Sequence, residues 1–133
     1  MIDIESRVYD PIAKAVRAAF PGASVSSEYV RAPSKFPHVS ITESDNYTTL
    51  SHLDGAGTER FATVMYDVNV YSNKSSGKKS ECRAVMDLVD RMMYQKNFTR
   101  ISMTPVPNLE DATIYRIVAR YRAETDGTEL YTI

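Results

Sequence analysis

A β-strand followed by a polar turn and an amphipathic helix, between Phe61 and Met93, is the part of this sequence that most constrains its fold. Side chains of a strand alternate between its two faces, and residues 62–70 alternate so that one face is suited to burial. The members of that face are Ala62, Val64, Tyr66, Val68 and Val70. Ser, Gly and Lys residues over 71–79 end the alternation, and apolar residues then recur from Cys82 onward at spacings typical of a helix. This unit contains no catalytic motif, so it indicates a scaffold or assembly module.

Length, charge and cysteine content limit the class of protein further. A chain of 133 residues fits one domain over 1–133 and can bury roughly two-thirds of its unfolded surface. The formal net charge of -1 provides no global basic field of the kind that drives nucleic-acid binding. The single cysteine, Cys82, excludes an internal disulfide, and its place on the helical stripe predicts a buried thiol. Apolar runs are far shorter than the ~20 residues that cross a bilayer, and no leader opens the chain, so we expect a soluble, unprocessed protein.

Two helices and one long loop are predicted. The first helix runs over about 11–20, with Asp10 as its cap and Pro11 as its first residue, and residues 3–9 form a turn or a kinked extension before it. The second helix follows the polar turn and ends at Asn97, which supplies a left-handed residue. A polar stretch at about 44–60 has no periodicity and carries only two aliphatic anchors, which are Leu50 and Leu53. A loop of this length in a compact domain is usually functional or mobile.

The remaining segments predict strands, and the whole pattern predicts an α+β domain. Besides the strand that begins near Phe61, strands are expected at 24–30, 39–43, 98–103 and 113–125, with a short strand at 129–133 pairing at an edge. Strands joined by turns, with helices standing apart from them, favour a mainly antiparallel sheet. We therefore expect four to five strands with two helices packed on one face of the sheet.

Motifs for catalysis and metal binding are absent from the sequence. His38 and His52 are not spaced like metal ligands and have no cysteine partner. No nucleophile motif, phosphate-binding loop or dinucleotide fingerprint appears. The sequence therefore predicts no catalytic residue, no cofactor and no metal, and the protein is not expected to be an enzyme.

Two groups of cations are candidates for contact with a partner. Lys74, Lys78 and Lys79 lie in or beside the polar turn, and the last two fall near the first turn of the helix, where the helix dipole disfavours cations by a few tenths of a kcal/mol. Either these lysines reach water, or an anionic partner such as DNA phosphate or an acidic patch of another subunit compensates them.

The second group lies on the last long strand. Arg116, Arg120 and Arg122 occupy the face opposite the apolar row that runs from Tyr115 to Ala123. A sheet face with three cations should either pair with acids such as Asp67 or meet a partner, since arginine is enriched at protein interfaces. The sequence leaves both possibilities open.

The order of elements resembles that of tail terminator (tail completion) proteins of long-tailed, siphovirus-like bacteriophages. The resemblance covers most of the chain, and its most similar strings are Phe36 to Ile41 with Asp45-Asn46, and Asn108 to Arg116. It implies a small α+β subunit that forms a six-membered ring at the head-proximal end of the tail tube. Such a ring stops tube growth and joins the tail to the head connector.

The resemblance also implies partners and a location. The partners are further copies in a hexamer, the tail tube protein, a head-tail connector or stopper protein, and genomic DNA touched non-specifically in the lumen, with no membrane contact. The location is the virion neck, after assembly in the host cytoplasm. Candidate contact residues are Lys74, Lys78, Lys79, Arg116, Arg120, Arg122, Asp45, Asn46, Leu50 and Leu53. The alternatives are another neck protein, namely a head-closure or adaptor subunit, and more distantly a small-ligand binding module or an enzyme.

Overall fold

The computed structural model of the protein describes residues 1–48, 61–108 and 111–132. These residues form two helices and a six-stranded, mostly antiparallel sheet, which confirms the predicted α+β class. The elements are α1 (Glu5–Ala19), β1 (Ser24–Ser26), β2 (His38–Thr48), β3 (Ala62–Ser72), α2 (Lys78–Gln95), β4 (Thr99–Pro105), β5 (Tyr115–Thr125) and β6 (Leu130–Tyr131). The sheet has six strands instead of the four to five expected, because both short segments predicted at 24–30 and 129–133 pair in it, as β1 and β6.

The sheet has a simple order in space. Its strands lie in the order β1-β2-β3-β5-β4, and β6 pairs with the end of β5. β1 runs parallel to β2, whereas β2, β3, β5 and β4 are antiparallel to their neighbours. Val68 of β3 lies between Ile41 of β2 and Ala119 of β5, so the apolar rows of three strands share one face. We call this the core face and the opposite one the polar face.

The core contains the residues that the sequence periodicity predicts. Val64, Tyr66, Val68 and Val70 of β3 are fully buried. They belong to one cluster with the apolar stripes of both helices and the apolar row of β5, which are Val8, Ile12, Val16, Cys82, Val85, Met86, Val89, Met93, Ile117, Ala119, Tyr121 and Ala123. The predicted burial of the Cys82 thiol is confirmed, and burial raises its pKa to about 12. Cys82 is therefore a core residue, as its place on the helical stripe indicates.

The predicted start of α1 was wrong. The helix begins at Glu5 and runs through Pro11, so Asp10 lies inside it and is not its cap. Proline cannot donate a backbone hydrogen bond, which costs a helix interior about 3 kcal/mol. Ile4 and Val8 offset this loss, since both are buried in the core and need the extra helical turn to reach it.

The predicted end of α2 is confirmed. Asn97 has a φ of 68°, and its N–H donates to the carbonyl of Tyr94 at 3.0 Å. The N–H of Phe98 donates to the carbonyl of Met93, also at 3.0 Å. This pair of bonds satisfies carbonyls that the helix leaves unpaired, and the buried side chains of Phe98 and Met93 add the apolar contact typical of this motif.

The predicted loop at about 44–60 was wrong at its start. β2 continues through Thr48, and a β-bulge at Ser44 shifts its register against β3 between Glu43 and Asp45. Backbone pairing with β3 holds this polar segment in the sheet, although its side chains show no apolar alternation. Residues 49–60, with Leu50 and Leu53, lie outside the described residues. β1 was also predicted too long, because pairing with β2 ends at Ser26.

Candidate functional site

The polar face of the sheet carries the predicted arginine row at its centre. Asp67 of β3 lies opposite Arg120 of β5, and Thr42 and Ser102 extend this row onto β2 and β4. Along β5, Arg116 and Arg122 lie on either side of Arg120, opposite Tyr71 and Met65 respectively. An open trough of about 560 Å³ runs over the face, and its charged and amide lining comes from Asp67, Asn69, Arg116 and Arg120. The fold thus presents this row as a broad surface.

Arg120 pairs with the acid that the sequence analysis named. Its Nε lies 3.5 Å from Oδ1 of Asp67, with 59% of the arginine side chain and 24% of the aspartate side chain exposed. Exposed ion pairs contribute only about 0–1 kcal/mol to stability. The pair therefore leaves Arg120 accessible to a partner rather than locking it into the fold.

Arg116 is held in place by groups that the sequence did not reveal. Its Nε donates to Oδ1 of Asn69 at 2.9 Å, and its Nη1 donates to the hydroxyl of Tyr29 at 3.3 Å. The guanidinium also lies 5.2 Å from the ring centroid of Tyr29 and 5.6 Å from that of Tyr71. Only the strand register and the path of the loop after β1 bring these residues together. Arg116 is therefore ordered before any partner binds.

Arg122 lacks such support. Its Nε is buried, and no acceptor for it lies within the described parts of the chain. Its neighbours across the sheet are Met65 and Thr99. A buried donor without an acceptor costs about 1–3 kcal/mol. Of the three arginines, Arg122 is therefore the one whose Nε the fold leaves without an acceptor among the described residues.

Two of the three predicted lysines make contacts within the subunit. Lys74 lies 3.4 Å from the carboxylate of Glu81, in the first turn of α2, and Lys78 donates to the carbonyl of Thr113 at 3.2 Å. Lys79 is exposed and has no ion pair among the residues that the structure describes. Glu81 thus compensates part of the unfavourable charge at the helix start, so an external anion is not required there.

Asp45 and Asn46 lie away from the lysines, on β2. Asn46 donates from Nδ2 to the carbonyl of Ile2 at 2.8 Å, which holds the N-terminal segment against β2. Asp45 is exposed on the polar face opposite Met65, in the same row as Arg122. The side chains of these adjacent residues therefore lie on opposite faces of the sheet: Asn46 anchors the N-terminal segment, and Asp45 is exposed to solvent.

Glu43, next to the bulge, lies in an acidic region at the edge of the core face. It accepts a hydrogen bond from the hydroxyl of Tyr66 at 3.3 Å. Burial raises the pKa of the Glu43 carboxyl, and the nearby charges of Glu5 and Asp3 raise it further. This part of the surface therefore gathers like charges in the isolated subunit.

Replacing Glu43 with glutamine is expected to raise the free energy of unfolding at pH 7. The raised pKa means that the ionised carboxyl is less favourable in the folded chain than in the unfolded chain, and glutamine keeps an acceptor for Tyr66. The gain should shrink as the pH falls through the folded pKa of Glu43 and vanish below its unfolded pKa, where wild type is protonated in both states. Urea unfolding of both proteins across this pH range measures it, and a gain that does not change with pH would contradict the assignment.

His38 is a structural residue of the sheet. It is 5% exposed, and its Nδ1 and Nε2 lie 2.6 Å and 3.3 Å from the hydroxyls of Ser24 and Ser26. Burial lowers the pKa of His38, which favours the neutral ring. Its ring also packs near that of Tyr71, with centroids 5.7 Å apart. His38 thus joins β1 to β2, while His52 lies outside the described residues.

Within 1–48, 61–108 and 111–132, no group of three His, Cys, Asp or Glu side chains is placed to hold a metal ion. No helix in these ranges combines the length and apolar character needed to cross a membrane. Neither a scan against protein-family models nor a search of curated proteins found a match to the chain.

Proposed function

We propose that this protein is a tail terminator subunit of a long-tailed bacteriophage. By the same resemblance, copies of it form a hexameric ring at the head-proximal end of the tail tube, where the ring ends tube growth and joins the tail to the head connector. The observation that carries the proposal is the polar face, where arginines lie along an open trough rather than inside an enclosed cavity. Such a surface suits contact with a macromolecule better than turnover of a small substrate.

The fixed position of Arg116 and the exposure of Arg120 support an assembly role. Arg116 is held by Asn69 and two tyrosine rings, so little side-chain entropy is lost when a partner binds it. Arg120 keeps more than half of its side chain exposed, at 59%. Carboxylates of a neighbouring tail or connector protein, or phosphates of DNA, are the groups that a guanidinium binds best.

The overall charge fits a ring through which DNA passes. A formal net charge of -1 means that general attraction to phosphate is weak. Contacts with DNA are then confined to a few cations and do not retard its movement. The same near-neutral balance permits close contact between identical subunits, because they repel each other little.

Deleting the gene from the phage that carries it is expected to produce tails with overlong tubes, because nothing stops polymerisation. A head-closure or adaptor subunit would instead give tails of normal length that fail to attach to heads. Electron microscopy of the lysate measures both the length and the attachment.

Complementation serves as the control and tests the polar face. The unchanged gene should restore tail length, and Lys14→Ala, which alters an exposed position of α1, should do the same. A gene with both Arg116→Ala and Arg120→Ala should restore it poorly. Native mass spectrometry that finds only monomers, even with the tube protein present, would contradict the proposal.

A further inference from the structure

The sheet has open strand edges on both sides. Within the described ranges, β4 pairs only with β5. At the other side, β1 covers only His38 to Ser40 of β2, and among the described residues the stretch 42–47 of β2 has β3 as its one strand partner. Each open edge presents a row of backbone N–H and C=O groups that another strand can bind.

The two open edges suit each other in direction. β2, β3, β5 and β4 alternate in direction across the sheet, so β2 and β4 run opposite ways. When a second copy is related to the first by rotation about an axis roughly along the strands, its β2 runs antiparallel to β4 of the first. Antiparallel pairing is the more stable arrangement for two strands.

Exposed apolar side chains mark both edges. Ile101, at the bulge of β4, is 49% exposed, and Tyr47 on the open stretch of β2 is 46% exposed. Large apolar side chains on free strand edges favour association, and natural monomers usually avoid them. Burial of this pair would contribute apolar contact to the interface.

The β2 edge carries negative charge. Glu43 lies opposite Tyr66 and therefore at the margin of the core face, close to Asp3 and Glu5, while Asp45 is exposed on the polar face. Among the described residues none of these four carboxylates forms an ion pair. Cations at the edge of a neighbouring copy would relieve their repulsion.

The β4 edge supplies such cations. Arg100 lies opposite a core residue of β5, so it occupies the margin of the core face, on the same side of the sheet as Glu43 but at the other edge. It pairs with Asp90 at 3.1 Å. Arg83 of α2 lines a surface depression together with Arg100 and Asp90, is exposed and has no ion pair within the described ranges. The acidic margin at β2 and the basic margin at β4 thus lie at opposite edges of the sheet in one subunit.

We propose that β4 of one copy pairs with the open stretch of β2 of the next copy, so that one antiparallel sheet continues around the ring. This inference rests on the proposed ring and names its subunit contact. A contact between two different surfaces of identical subunits closes into a ring when the rotation allows it.

Two variants, each changing one exposed edge residue, test the contact. Ile101→Glu places a carboxylate on β4, where it would meet the acidic β2 edge of the next copy. Tyr47→Lys places a cation on β2, where it would meet the basic β4 edge of the neighbouring copy. Each variant alone should reduce ring formation by about tenfold or more, because like charges meet at the interface. Native mass spectrometry at matched concentration, on the protein with and without tube protein, measures the rings.

Mixing the two variants gives the sharper result. The intact β4 edge of the Tyr47→Lys protein can still bind the intact β2 edge of the Ile101→Glu protein, so a 1:1 mixture should form heterodimers. The two altered edges of such a dimer carry opposite charges, so the mixture should also recover rings in which the two variants alternate, although neither variant forms them alone. A mixture that forms neither heterodimers nor rings would overturn the head-to-tail contact. Amide hydrogen exchange should also be slower at 42–47 and 99–105 in wild-type rings than in monomeric Ile101→Glu.

Controls separate the contact from folding and from the ring itself. Tyr94→Glu changes another exposed aromatic residue, on α2, and should leave rings intact. Circular dichroism should show unchanged thermal unfolding for both edge variants. If wild type and both edge variants all form rings, the edge contact is overturned and the ring proposal stands. If wild type forms no rings, both are overturned.

Discussion

Replacing Phe98 with alanine is expected to lower the free energy of unfolding by about 3–5 kcal/mol. Phe98 is 1% exposed, and its ring meets that of Tyr66 edge-on, with centroids 5.5 Å apart. Phe98 comes directly after Asn97, the left-handed residue that ends α2, and directly before the first residue of β4. Alanine would lose the aromatic contact, the apolar area and the filling of a space that the surrounding helix and strands cannot fully close.

Urea unfolding followed by circular dichroism measures this loss. Phe98→Leu should cost less, because leucine keeps most of the apolar volume. Ile101→Ala, at a side chain that is 49% exposed, should change stability by less than about 0.5 kcal/mol. A loss below about 1 kcal/mol for Phe98→Ala would show that this part of the core repacks and does not depend on the ring.

Replacing Asp90 with alanine is expected to lower the free energy of unfolding by about 1–3 kcal/mol. The hydroxyl of Tyr121 donates to Oδ1 of Asp90 at 2.7 Å, and Nη1 of Arg100 donates to the same oxygen at 3.1 Å. Tyr121 is fully buried, so without Asp90 its hydroxyl loses its acceptor where water does not reach the side chain. Arg100 would also be released from α2, which loosens the link between α2 and β4.

A double-mutant cycle measures how much of this loss comes from the buried hydroxyl. Asp90→Ala should cost clearly less in a Tyr121→Phe background, because no hydroxyl is then left without an acceptor. Asp90→Asn keeps an acceptor oxygen and should cost less than Asp90→Ala. Equal losses for Asp90→Ala in both backgrounds, measured by urea unfolding, would mean that the bond to Tyr121 contributes nothing to stability.

Charge at the two sheet margins connects stability to assembly. Glu43, Asp3 and Glu5 gather at one margin and make the isolated subunit less stable than a neutral margin would. Arg100 lies at the other margin, where Asp90 positions it. Natural proteins retain such unfavourable groupings where a partner needs them, so the expected gain from Glu43→Gln would come with weaker contact between copies.

Periodic segments were predicted well from the sequence. β3 alternates so strongly that its core face could be named residue by residue, and α2 repeats its apolar residues at the helical spacing up to Met93. The left-handed end at Asn97 was also predicted, because few residue types adopt that conformation at low cost. In these segments local preference and burial agree, so the local pattern suffices.

Segments in which local preference and packing disagree were not predicted. Pro11 predicts a helix start, yet α1 begins earlier, at Glu5, because this places Ile4 and Val8 in the core. The polar residues of β2 from Ser44 onward look like a loop, yet pairing with β3 holds them in the sheet. The tight setting of Arg116 between Tyr29, Asn69 and Tyr71 depends on register and loop path, which leave no trace in local spacing.

The sequence by itself determined the α+β class, the core face of β3, the stripe of α2 with its buried Cys82 and the row of arginines on β5. These depend on periodicities of two and 3.6 residues, which are local properties of the chain. Only the tertiary structure decided which arginine is held, which is paired and which lacks an acceptor, and it placed acidic and basic margins at opposite open edges. Such relations join residues far apart in the chain, so they exist only once the strands have found their partners.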